Sequence, residues 1–69
     1  MTKAQIESIK NEVENLTAKL EKATARLNRT LEIIKEDASW EMFLEEDKKW
    51  VEYYTRNINR LNAIIKEVA

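Results

Sequence analysis

Ile34-Lys35-Glu36-Asp37-Ala38-Ser39-Trp40-Glu41-Met42-Phe43 is the stretch that decides the fold. Before it, apolar residues recur at Ile6, Ile9, Val13, Leu16, Leu20, Ala23, Leu27 and Ile34, in steps of three and four, with Thr30 in the one vacant seam position. Such a run marks the a and d positions of a heptad and predicts a helix with a single apolar seam. After it, Leu44, Val51, Tyr54, Ile58, Leu61, Ile65 and Val68 repeat the pattern in another frame. Continuing the first heptad would put Glu41, Lys48, Thr55 and Asn62 in the seam, and all four are polar.

The register is therefore reset between residues 35 and 43, either by a stammer in one long helix or by a turn. A turn accounts better for Asp37 and Ser39, whose side chains compete for backbone hydrogen bonds and favour caps over helix interiors. Ser39 is the expected N-cap of the second helix, with Glu41 in the first turn, where the helix dipole favours an anion. The expected fold is all-α: one domain spanning 1–69, a two-helix antiparallel hairpin of coiled-coil type. Helix one covers about 3–35, the turn about 36–39, and helix two about 40–68. The rival, a single helix of the whole chain, would be about 100 Å long. Folding near residue 38 brings together positions whose numbers sum to about 76, so Leu20 meets Ile58, small Ala23 meets Tyr54, and Thr30 falls opposite Asp47. The last pair is an expected polar layer within the seam, a device that sets register at some cost in stability.

Composition narrows the function. With no Cys and no His, the chain has no disulfide, no thiolate metal site and no Ser/His/Asp or Cys/His catalytic set. With no Gly, it has no phosphate-cradling loop. No cofactor, metal, small-molecule substrate or enzymatic activity is expected. A domain this short buries only about 60% of its unfolded surface and usually needs a staple or a partner. Twelve basic residues against thirteen acidic ones leave a net charge of −1, too little for a general attraction to nucleic acid or membrane. No secretory leader and no membrane-length apolar run are read in the sequence, so a cytoplasmic location is expected.

Helix two is apolar beyond its seam. Phe43, Trp50 and Ile64 lie on one flank at multiples of seven residues, Tyr53 lies farther round, and Trp40 begins the helix. This stripe is wider than one facing helix covers, and exposed aromatics of this kind mark interaction surfaces. Trp40, Phe43, Trp50, Tyr53 and Ile64 are the candidate protein-binding residues. They would serve either to complete a four-helix bundle by homodimerisation or to dock on a different protein.

Charge is also segregated. Eight acids and three bases lie between Glu32 and Glu52, which makes the turn an acidic tip. Lys19, Lys22, Arg26 and Arg29, with Arg56 and Arg60 at the matching height, form a basic waist whose one acid is Glu21. These six bases are the candidate contacts for phosphates if the chain binds nucleic acid.

At the level of architecture alone, such a hairpin resembles the Rop-type RNA-binding bundles and the small hairpin co-chaperones that shield secretion-needle subunits. No motif of either group maps onto these residues, so neither resemblance transfers a site. The expected function is a non-enzymatic protein–protein interaction module: an adaptor, inhibitor or co-chaperone. A nucleic-acid-binding bundle and a structural or engineered hairpin without a ligand are the alternatives.

Overall fold

A computed structural model describes residues 1–68 of the chain. Two long helices pack against each other as a hairpin: α1 (Lys3–Ile34), then a short 3-10 turn (Ala38–Trp40), then α2 (Glu41–Val68). The molecule is a rod 52 Å long and 15 by 12 Å across. At 1.5 Å per residue the 32 residues of α1 alone span about 48 Å, so the chain doubles back on itself and does not run on as one helix.

Helix α1 starts on a capping box. Thr2 Oγ1 accepts from Gln5 N at 3.2 Å, and Gln5 Oε1 accepts from Thr2 N at 2.8 Å. Two of the donors that a helix start leaves open are thereby satisfied reciprocally.

The reversal needs no glycine. Ile33 O accepts from Glu36 N at 3.0 Å and from Asp37 N at 2.8 Å, which closes the last turn of α1. Lys35 keeps right-handed helical angles, and Asp37 then steps into extended backbone at φ −140, ψ 96. Among the described residues none has a positive φ. The capping side chain is Asp37, two residues earlier than the expected Ser39. Its Oδ1 accepts from Ser39 N at 3.1 Å and from Ser39 Oγ at 2.6 Å. Aspartate wins because a carboxylate takes both hydrogen bonds at once, and charge-assisted acceptors bind shorter and tighter than neutral ones.

Burial follows the heptad. The a and d positions of α1, from Ile6 to Ile34, are all at least partly covered, and so are those of α2 from Leu44 to Ile65. The register is fixed by one polar layer. Thr30 Oγ1 donates to Asp47 Oδ2 at 2.5 Å, and Arg26 Nε lies 3.3 Å from Asp47 Oδ1. Asp47, counted with the acidic tip and also expected opposite Thr30 in the seam, is an interior group with 3% of its surface exposed. An unpaired buried carboxylate would cost several kcal/mol; here both oxygens have partners. The pair sums to 77, so Leu16 stands level with Leu61 and Ala23 with Tyr54.

Two outcomes follow. Thr30→Val leaves one oxygen of a buried carboxylate without its donor and should cost about 1–3 kcal/mol. Adding Asp47→Leu should recover most of that loss, because an apolar pair leaves nothing unsatisfied; urea unfolding monitored by circular dichroism measures both. At the turn, Ser39 holds the Asp37 carboxyl below its ordinary 3.8 through its hydroxyl first and its backbone N–H second. A depressed carboxylate contributes stability above its unfolded value and loses it as pH falls through the lowered one. Asp37→Ala should therefore lower the thermal midpoint at neutral pH, and the gap to the wild type should close on acidification below 3.8.

Candidate protein-binding face

The seam alone does not make a core. Among the described residues Leu16, 8% exposed, is the single buried hydrophobic side chain, and none is sealed completely. Meanwhile Trp40, Phe43, Trp50 and Tyr53 keep between 38 and 49% of their surface in solvent. The hairpin exposes 5574 Å², whereas a compact globular chain of its mass would expose about 4,500 Å². The excess of roughly 1,000 Å² is close to what one partner contributes to a standard interface, about 800 Å².

The exposed aromatics form two clusters. Trp40 and Phe43 pack at 5.0 Å between ring centroids beside the turn. Farther along α2, Trp50 stacks on Tyr54 at 5.8 Å and 25°, and Tyr53 meets the edges of both rings at 5.9 and 5.5 Å. Helical spacing explains this grouping, since residues three and four apart stand on adjacent turns of one face. Tyr54 belongs to the seam, so it ties the outer aromatics to the interior. Asn57 follows Trp50 on the flank and turns its amide back to its own helix, donating to Tyr53 O at 2.8 Å. Ile64, the last expected member of the flank, is half-covered and lies at the far end from the turn.

The fold joins two features that the sequence presents separately. Because the helices are antiparallel, the basic flank of α1 and the aromatic flank of α2 share one face. A cleft of about 260 Å³ there is lined by Lys19, Lys22, Ala23 and Arg26 from α1 and by Asp47, Trp50 and Tyr54 from α2. A second cleft of about 500 Å³ adjoins it toward the turn, where Lys22, Arg26, Arg29 and Ile33 face Trp40. Lys22 and Arg26 line both, so the two clefts are one groove. Its α1 wall is cationic and its α2 wall is aromatic. Ala23 makes the groove possible, because a methyl opposite Tyr54 leaves room that a larger seam residue would fill.

The other two bases of the waist stand elsewhere. Arg56 and Arg60 line a separate cleft with Tyr53 and Asn57 on the outer surface of α2. The six expected bases are thus split by the aromatic row, four on one side of it and two on the other. Glu46 borders Trp50 and Tyr53 on that outer side. Among the described residues, no three acidic side chains converge as a metal site would require, and no helix is long and apolar enough to cross a membrane.

Neither protein-family models, nor curated proteins, nor solved structures give a match to this chain. The chemistry of the groove is therefore the guide to function.

A face that serves binding differs from a core in what its removal costs the free chain. Leu16→Ala should destabilise the hairpin by about 2–5 kcal/mol, the usual range for a buried leucine. Trp50→Ala and Phe43→Ala, which truncate half-exposed rings, should each cost clearly less in the same urea titration, despite deleting more atoms.

Proposed function

We propose that this chain is a non-enzymatic protein-binding module, a helical hairpin of the adaptor, inhibitor or co-chaperone kind. It buries the face carrying Trp40, Phe43, Trp50 and Tyr53 against another helical surface. The observation that carries this reading is the surplus of exposed surface on a hairpin whose seam, among the described residues, buries one hydrophobic side chain. Aromatic side chains that are half wet in the free protein are the usual anchors of an interface, where a few residues supply most of the binding free energy. The seam holds the hairpin together, and the outer aromatic row is what remains available for a partner. Ile64 extends the same flank away from the turn. The occupant is either a second copy, which would complete a four-helix bundle, or a different protein.

Nucleic-acid binding is the second reading, favoured by the row Lys19, Lys22, Arg26 and Arg29 beside exposed rings. Single strands are held by such combinations of bases and stacking platforms. Two features weigh against it. Glu46 borders the same rings and would face phosphates, and Trp50 already stacks one side of its ring on Tyr54.

Sedimentation at micromolar concentration, combined with capture from the native cell, tests the proposal. The wild type should associate with itself or retain a protein partner. Phe43→Ala/Trp50→Ala should lose that association by at least about tenfold while keeping its helical spectrum. Association unchanged in the double variant, or a wild type that stays a monomer and captures no protein, would overturn the proposal.

A further inference from the structure

We infer that the groove takes one amphipathic helix whose acidic edge lies along Lys19, Lys22, Arg26 and Arg29, completing a three-helix bundle. The inference rests on the protein-binding reading and specifies the partner's chemistry.

The spacing of the groove residues carries it. The four bases recur in steps of three, four and three, so they form a straight row about 15 Å long on one flank of α1. Phe43 and Trp50, seven residues apart, form a second row on α2, about 10 Å long. The rows run side by side with the groove between them. A third helix laid in that groove presents its own side chains at the same period. Apolar residues every three and four would fall on Ile33, Trp40, Phe43 and Trp50, and carboxylates along one edge would fall on the bases. The 260 Å³ cleft beneath Lys19, Lys22 and Arg26 has room for a carboxylate-bearing side chain, with Trp50 as its apolar wall. Its one acid, Asp47, is already satisfied by Thr30 and Arg26, so the cleft presents a surplus of positive charge.

Charge also decides against a second copy as the occupant. Lys19 stands near the middle of α1 (Lys3–Ile34), with Lys22 one turn away. Two hairpins stacked groove to groove and antiparallel would bring Lys19 and Lys22 of both copies together about the two-fold axis. Stacked parallel, they would set acidic tip on acidic tip and basic waist on basic waist. Like charges brought face to face cost affinity and slow encounter. An acidic helix meets no such opposition.

A synthetic helix of about 25 residues tests this, with Leu at the a and d positions and Glu along one edge. Two further peptides carry Gln or Lys in place of Glu. Trp fluorescence reports binding, sedimentation gives stoichiometry, and each titration is repeated at low and high salt. The Glu peptide should bind one to one, at least about tenfold tighter than the Gln peptide, and the advantage should shrink with salt. Lys19→Glu/Lys22→Glu/Arg29→Glu should reverse the preference toward the Lys peptide. That variant leaves the Arg26–Asp47 contact in place, and circular dichroism confirms that it folds. Equal affinity for Glu and Gln peptides would overturn the acidic-partner inference and leave the protein-binding proposal standing. A homodimer that excludes the peptide would overturn it in the same way. Tighter binding of a single-stranded oligonucleotide than of the Glu peptide at equal salt would overturn both readings. A monomer that binds none of these probes would overturn the acidic-partner inference alone.

Discussion

The contact of Asp47 with Thr30 and Arg26 is the constraint on which the rest of this structure depends. Two apolar seams can slide past each other by a heptad at little cost, because one leucine layer resembles the next. A buried carboxylate removes that freedom. Any slip that separates Asp47 from Thr30 leaves an unsatisfied acceptor among aliphatic side chains, a penalty of the order of 1–3 kcal/mol even before the charge is counted. One fixed layer sets the height of every other pair. It brings Ala23 level with Tyr54, opens the groove there, and holds the basic row of α1 beside the aromatic row of α2.

Arg26 has a part in both halves of the molecule. Its guanidinium reaches in to the 3%-exposed Asp47, yet the side chain remains largely solvent-accessible and lines both clefts of the groove. The residue that helps neutralise the interior is thus also on the binding face. Such a link is economical in a chain that has no cysteine and so no disulfide to stabilise it, since the same side chain serves register and surface. It also explains why the acidic tip and the basic waist are less separate than a charge count along the chain implies: one acid of the tip is internal, and its partner comes from the waist.

Much of the architecture was legible in the sequence because it rests on periodicity. The two seam frames, the reset between them and the opposition of Thr30 and Asp47 all follow from counting residues on a helix. The turn was less legible. Ser39 and Asp37 both carry capping chemistry, and which of them caps depends on a backbone step at Asp37 that the pattern does not encode. The capping box at Thr2 and Gln5 was readable from its spacing, but carries less weight in a search led by apolar periodicity. For the site, the aromatic flank and the bases were each visible as one-dimensional patterns. Their union on one face was not, because it depends on which flanks of two antiparallel helices lie together. Glu46 and Asp47 are neighbours in sequence with opposite fates, one bordering an outer cleft and the other sealed in the seam.

The glycine-free turn has a topological consequence. Lys35 and Glu41 have right-handed helical angles, Ala38–Trp40 is already coiled, and Asp37 supplies the extended backbone step. Returning that short segment to helical angles would straighten the chain, and α2 would then find the seam of a neighbouring molecule in place of its own. The contacts in that exchanged pair are the same ones, Asp47 with Thr30 included, made between chains. Intramolecular and exchanged forms thus differ mainly at a single hinge, the arrangement in which protein concentration selects between them. The hydrogen bonds from Ser39 to Asp37 are what hold the hinge shut.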